Sequence, residues 1–160
     1  MDDATIVAWQ LGRAPRGTWR VVARCSYGYP TCIATAPLID GGEPFPTLFY
    51  LTCPYLAEEV SRLESGGFLE TVRGMLAANE SLASRLLDAD ESYRTARAQE
   101  AGGVDPTPNV GIAGQRDPLT VKCLHAHVAA YLAGIADPIG EVVMLDRAAE
   151  CRNGRCEEGQ

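Results

Sequence analysis

The chain has little positive charge and no long hydrophobic run. Its 160 residues hold 14 Lys or Arg against 21 Asp or Glu, a formal net charge of -7, and Lys122 is the only lysine. Nucleic acids and anionic membranes require a basic face on their partners, so this balance argues against both. A small basic patch near the amino terminus is the one exception, and we favour a solvated surface for its arginines: Arg13, Arg16, Arg20 and Arg24.

The sequence also lacks membrane and export signals. No stretch approaches the roughly 20 apolar residues of a membrane helix, and the first residues, MDDATIVAWQ, lack the basic segment and apolar core of a signal peptide. We therefore expect a cytoplasmic protein. In a reducing compartment its six cysteines are expected to bind metal, do chemistry or pack as small hydrophobes, and not to form disulfides. The close C-x2-C spacing of the commonest zinc modules is absent.

The remaining pattern predicts an α+β fold. Residues 1–150 are expected to form a single domain, and residues 151–160 a polar, cysteine-containing tail. Short turns rich in Gly and Pro separate three runs of strand-forming residues, which favours a small antiparallel three-stranded sheet with meander topology. The runs are 19–25, 31–39 and 47–53. Four to five helices should pack on this sheet, one of them over residues 69–98 with a break near Asn79.

Residues 101–118 are rich in Gly and Pro and predict a loop. A loop of this length in a compact domain is usually functional or mobile. Its fragment GIAG resembles a phosphate-binding loop only weakly, because the lysine and the flanking pattern are missing.

The positions of the cysteines separate their expected roles. In a meander the first and third strands run the same way, so Cys25 and Cys53, each closing its strand, should emerge at one edge of the sheet. Cys151 and Cys156 have no apolar neighbours in the tail, so core packing does not explain them. Cys32 lies inside a strand beside Ile33 and is best interpreted as a small core residue.

The segment TVKCLHAHVA (120–129) contains both histidines. On a helix, Cys123 and His127 are four residues apart on one face, the spacing with which two side chains bind one metal ion. His125 projects away from them, so we expect it to stay outside that site, where it could orient a loop by hydrogen bonding. The helix start and the neighbouring Lys122 favour a thiolate at Cys123, which both a metal ion and a nucleophilic mechanism require. A buried thiol beside two core histidines is the alternative.

Six segments of the chain resemble the DUF501 family, which is bacterial and mainly actinobacterial. They are QLGRAPRG, RCSYGYP, DGGEPFPTLFYLTCP, VGIAGQ, VKCLHAHVAAYLAG and DPIGEVV, and the resemblance runs from about residue 6 to the tail. It places Cys32 where the family motif usually has an aliphatic residue. The family brings no established activity, and its gene neighbourhoods associate it with cell division or phosphate metabolism. The resemblance implies that these residues occupy motif positions: Cys25, Cys53, Cys123, His125 and His127.

The first functional hypothesis is a metal-binding protein. Three cysteines would converge where the sheet edge meets the KCLHAH helix, and a histidine or a tail cysteine would complete a four-ligand site for zinc or an iron-sulfur cluster. Thr52 and Tyr50 would be nearby polar groups. The candidate ligands are Cys25, Cys53, Cys123, His127, Cys151 and Cys156.

Two further hypotheses stay open. A hydrolase or transferase would use Cys53 or Cys123 as nucleophile and His125 or His127 as base. A non-catalytic binding or scaffold domain linked to cell division would use its acidic helices as its surface. The sequence leaves room for a protein partner but identifies neither that partner nor the oligomeric state.

Overall fold

The computed structural model describes residues 2–145 and 150–159. Residues 1, 146–149 and 160, which belong to the predicted domain and tail, lie outside the described residues. The strands are β1 (Trp19–Arg24), β2 (Pro30–Thr35), β3 (Leu38–Ile39), β4 (Glu43–Pro44) and β5 (Phe49–Leu51). The helices are α1 (Asp3–Leu11), α2 (Pro54–Ser65), α3 (Phe68–Ala78), α4 (Glu80–Glu100), α5 (Leu124–Leu132) and α6 (Pro138–Leu145). The predicted α+β class is confirmed.

The main sheet has the predicted meander topology. Its order is β1-β2-β5, and β2 pairs antiparallel with both neighbours. Cys25 follows β1 directly, and Cys53 lies two residues beyond β5. The strand predicted over 31–39 ends earlier, at Thr35, because the chain then turns into the separate two-stranded ribbon of β3 and β4.

Side-chain caps begin two of the helices, α1 and α4. Asp2 accepts a hydrogen bond from the Ala4 amide at 3.1 Å and begins α1, as its type favours. The predicted break near Asn79 is confirmed, since its side chain accepts from the Leu82 amide at 3.1 Å and begins α4. This break divides the 69–98 segment, so the described residues hold six α-helices instead of four to five. None of the described helices has the length and apolar character needed to cross a membrane.

Helix α5 lies at the centre of the core. It packs against β5, β2, α2 and α6, and its apolar side chains belong to one large buried cluster. The core of that cluster includes Leu48, Leu56, Val60, Val72, Leu86, Leu124, Val128, Ile139 and Val143. This packing brings the amino-terminal end of α5 close to α2 and to the third strand of the sheet.

The predicted loop over 101–118 is confirmed, and a buried arginine side chain of α4 binds it to the rest of the protein. The side chain of Arg97 is fully buried, and its Nε and Nη2 donate to the Asp105 carboxylate at 2.8 and 2.9 Å. Its Nη1 donates to the Pro46 carbonyl at 2.9 Å, and Nη2 also donates to the Thr107 carbonyl at 2.9 Å. One arginine therefore joins α4, the loop and the segment before β5.

The GIAG part of the loop is held in an unusual conformation. Asp90 accepts from the Ile112 amide at 2.9 Å, and a Cβ at Gly111 would lie 1.9 Å from an Asp90 oxygen, so only glycine fits there. Ala113 has φ 60 and is the only non-glycine residue of the described chain with a positive φ. Backbone strain of this kind is often found at functional sites.

Candidate active site

The start of α5 decides which side chains meet Cys123. The helix begins at Leu124, and Cys123 is its N-cap, with extended backbone angles of φ -143 and ψ 112. A residue outside the helix does not share a helical face with one four positions on. The prediction that Cys123 and His127 lie on one helix face is therefore wrong. The Cys123 sulfur lies 4.0 Å from Nδ1 of His125 instead.

Acceptors surround both ring nitrogens of His125. Nε2 lies 3.0 Å from the Ala57 carbonyl and 3.1 Å from the Ser61 hydroxyl. A carbonyl only accepts, so Nε2 carries a proton. Nδ1 faces the Glu64 carboxylate at 3.2 Å and the Cys123 sulfur. The pKa of His125 is raised to about 9, first by its hydrogen bond to Cys123, against burial, and then by the Ala57 carbonyl and the Glu64 charge. His125 is therefore an imidazolium at neutral pH.

The pKa of the Cys123 thiol is lowered, which favours the charged form of this group as well. Burial and the charge of Glu64 raise this pKa. The hydrogen bonds from His125 and the Ala126 amide, together with the charge of His125, lower it and outweigh the first two effects. A lowered thiol pKa beside an imidazolium increases the fraction of thiolate at neutral pH. The predicted thiolate at Cys123 is supported, although its main partner is His125.

Glu64 fixes the relative position of α2 and α5. From the last turn of α2, its Oε1 accepts the Leu124 amide at 2.8 Å and also faces Nδ1 of His125. The expectation that His125 lies apart from the site is wrong, because its ring faces α2 and the cysteine. Glu64, Cys123 and His125 each place one ligand atom within 4.8 Å of the others, so these three residues could also hold a metal ion.

A groove opens beside this pair. Its volume is about 620 Å³, against about 430 and 210 Å³ for depressions on α4 and near Gly66. Cys123 and His125 lie in its wall, and so do Ala113 and Gly114 of the anchored loop. Its other walls are mainly apolar and include Leu11, Phe49, Tyr50, Leu51, Ala57 and Ala126.

His127 has a different environment. Its buried ring places Nδ1 2.7 Å from Asp137 Oδ2. The other oxygen of Asp137 accepts the amides of Ile139 and Gly140 at 2.9 and 3.2 Å, at the start of α6. The pair thus joins α5 to α6, and this contact gives His127 a structural role. The predicted roles of His127 as metal ligand or base for Cys123 therefore lose their geometric basis.

The other cysteines fall into two groups. Cys32 is fully buried and burial raises its pKa to about 12, so the predicted core role is confirmed. Among residues 2–145 and 150–159, only Glu64, Cys123 and His125 place three ligand atoms within 4.8 Å. The predicted convergence of Cys123 with other cysteines is therefore not found at that distance. The remaining four cysteines lie around the carboxyl-terminal segment: Cys25, Cys53, Cys151 and Cys156.

Sequence reasoning missed two polar partners in the site, Glu64 and Ser61. Both lie on α2, where the sequence shows an ordinary amphipathic helix with acidic residues on its outer face. No local signal separates Glu64 from Glu58 or Glu59 on the same helix. Their roles depend on how α2 packs against α5, which is a tertiary contact.

One of the comparisons with known proteins gave a match, and it covers all the segments that resemble the DUF501 family except QLGRAPRG, which precedes residue 21. Neither the curated proteins nor the solved structures gave a match. One family model, described as "Protein of unknown function (DUF501)", matches residues 21–145. The match covers both parts of the site, α2 with Glu64 and α5 with Cys123 and His125. Because it also covers most of the chain, the protein belongs to the DUF501 family.

Proposed function

We propose that the protein is a thiol-dependent enzyme, a hydrolase or transferase, with Cys123 as nucleophile and His125 as its acid partner. One observation carries the proposal: a thiol and an imidazole, each with a pKa shifted toward its charged form, line the same groove. Charged pairs of this kind activate cysteine nucleophiles, because the thiolate is the attacking species.

The proposed reaction uses both members of the pair. The Cys123 thiolate attacks an acyl carbon, a carbon–sulfur bond forms, and the leaving group departs with the proton that Nδ1 of His125 donates. Water, or an acceptor alcohol or amine, then attacks the thioester and gives one of its own protons to Nδ1 of His125 while the thiolate leaves. The Glu64 carboxylate and the Ala57 carbonyl hold the imidazole in position through both steps.

The groove favours small, mainly apolar substrates. Its volume of about 620 Å³ lies within the usual range of small-molecule sites. No lysine or arginine lies among its described lining residues, so His125 is the cation that faces it. These features fit the acyl group of an uncharged ester, thioester or amide better than a phosphate ester.

A metal ion held by Glu64, Cys123 and His125 is the second candidate. The observation in its favour is that their three ligand atoms lie within 4.8 Å of one another. Three protein ligands with an open fourth position are typical of catalytic zinc. In this case Nδ1 of His125 would bind the metal and would not carry a proton.

Cysteine-resolved alkylation tests the proposal. Rates of reaction with iodoacetamide are measured by mass spectrometry at each thiol between pH 5 and 10. We expect Cys123 to react with an inflection well below the ordinary thiol pKa of about 8.5. His125→Gln should move this inflection upward and slow the reaction at pH 7 by about tenfold or more. Cys32, buried in the same chain, serves as the internal control and should stay unmodified.

Turnover tests the acyl chemistry itself. Nitrophenyl acetate and nitrophenyl hexanoate should each release nitrophenol in a burst and leave an acyl group on Cys123, and Cys123→Ser should abolish both signals. A Cys123 rate equal to that of a model thiol, unchanged in His125→Gln, would reject the proposal. Protection of Cys123 that disappears after a chelator is added would favour the metal candidate.

A further inference from the structure

The four cysteines other than Cys32 and Cys123 lie where the carboxyl-terminal segment meets the rest of the protein. Cys25 follows β1 in a tight turn, with its amide 3.0 Å from the Tyr29 carbonyl. Cys156 is buried together with Ile6 and Tyr29, and Cys25 packs against this cluster. One cysteine of the sheet edge and one of the tail therefore share a single small core.

The other two cysteines belong to the same group. Cys53 is the N-cap of α2 and is buried. Its pKa is raised first by burial and further by the charges of Cys156 and Cys151. The pKa of Cys156 is likewise raised by burial and then by Cys151 and Cys25. Cys53 and Cys156 therefore each lie near two of the other three cysteines.

Three surface contacts place the segment over these cysteines. Glu150 accepts from the Ser26 amide at 2.6 Å, and the Tyr27 hydroxyl donates to the Arg152 carbonyl at 2.8 Å. Arg155 pairs with Glu58 on α2 at 2.7 and 3.0 Å. Surface ion pairs stabilise a fold only weakly, and residues 150–159 contain no apolar side chain except their cysteines. A further crosslink would explain why this polar segment folds back.

We propose that Cys25, Cys53, Cys151 and Cys156 bind one zinc ion that fastens the carboxyl-terminal segment to the sheet edge and α2. The tail pair has the spacing C-x4-C, within the range of structural zinc ligands, and four thiolates complete a closed tetrahedral site. In the described residues no three of these four sulfur atoms lie within 4.8 Å of one another, so the four side chains turn inward when the ion binds.

The surroundings of the thiols fit a metal–thiolate centre. Gln10 Nε2 donates to the Cys156 sulfur at 3.4 Å and to the Pro30 carbonyl at 2.8 Å. Hydrogen bonds of this kind orient metal-bound sulfurs. The guanidinium of Arg155 lies close enough to Cys151 and Cys53 to interact with their charges. It offsets part of the negative charge of a zinc ion bound by four thiolates.

Metal analysis of the reduced, untagged full-length protein tests this site. We expect about one zinc per chain, lost in Cys151→Ser and in Cys53→Ser. Cys123→Ser is the matched control and should keep its zinc, which separates this site from the chemistry proposed at Cys123. A chelator should lower the Tm of the wild type by several degrees and leave that of Cys151→Ser unchanged.

Cobalt substitution provides a measurement that does not depend on variant folding. Wild-type protein loaded with Co²⁺ should show sulfur-to-metal charge-transfer bands with the intensity of four thiolates. Any of the following results would overturn the proposal: folded protein that binds neither zinc nor cobalt, zinc that persists in Cys151→Ser, or a mass that reveals disulfides between these cysteines under reducing purification. Visible bands of an iron-sulfur cluster in freshly purified protein would also contradict it.

Discussion

Two histidines that are two residues apart in α5 have different surroundings. The side chain of His125 is 29% exposed and lies beside a thiol and a groove, whereas that of His127 is 3% exposed and lies beside Asp137 in the core. Each has a carboxylate partner. Asp137 also holds the first amides of α6, while Glu64 holds a group that faces the groove. The part of the chain that packs against each histidine, and not the residue type, therefore determines its surroundings.

The largest expected effect is on the buried pair. Asp137→Ala leaves His127 without its partner and the Ile139 and Gly140 amides unsatisfied, so we expect the free energy of unfolding to fall by about 3 to 5 kcal/mol. Urea denaturation measures this change. The Cys123 alkylation rate of the folded molecules should stay within twofold of the wild type. A large loss of reactivity in folded Asp137→Ala would mean that the two histidines act together.

The second effect is the pH dependence of stability that His125 introduces. Its pKa rises from 6.5 to about 9 on folding, so its contribution is complete below pH 6.5 and is lost as the pH rises through about 9. The lowered pKa of Cys123 has the opposite sign. Its contribution is present above the ordinary thiol pKa and is lost as the pH falls through the folded value.

The contribution of His125 therefore declines over the interval between its unfolded and folded pKa values. The difference in free energy of unfolding between the wild type and His125→Gln should decline as the pH rises from about 6.5 to about 9, by an amount on the order of 1 kcal/mol. Urea titrations at a series of pH values test this. A difference that stays constant from pH 6 to pH 10 would show that His125 carries no extra proton in the folded state.

The smallest effect is expected from Glu64→Gln. The amide oxygen still accepts from Leu124, but the charge that raises the pKa of both His125 and Cys123 disappears. The pKa of Cys123 and the pKa of His125, which bound the pH range in which both groups are charged, should each fall by about half a unit or less. The pH profile of alkylation measures the pKa of Cys123, and NMR titration measures that of His125. Glu58→Gln, on the exposed side of the same helix, is the control and should leave both values unchanged.

The sequence predicts those parts of the fold that have local signals. Gly and Pro turns separate the strands of the meander, and Asn79 is of a type that begins helices. The start of α5 has no such signal, because cysteine is not a usual N-cap residue. Residues 120–123 belong to no helix, and Val121 among them is buried with its carbonyl accepting from Arg73 at 3.1 Å.

The residue at which α5 begins explains why the sequence analysis paired Cys123 with His127. Each residue turns a helix by about 100°, so the histidine that faces a given cysteine depends on where the helix begins. A start before Cys123 would pair it with His127, whereas the observed start at Leu124 pairs it with His125. The residue types of the site were therefore predictable, and their partners were not.

The buried guanidinium of Arg97 has a consequence for recognition. It holds the loop that supplies Ala113 and Gly114 to the groove, so one wall is in place before any ligand arrives. A ligand that enters a preformed wall loses little binding free energy to loop ordering. Selectivity should then follow the shape of the ligand, and bulky acyl chains should be rejected by steric fit instead of being accommodated by loop movement.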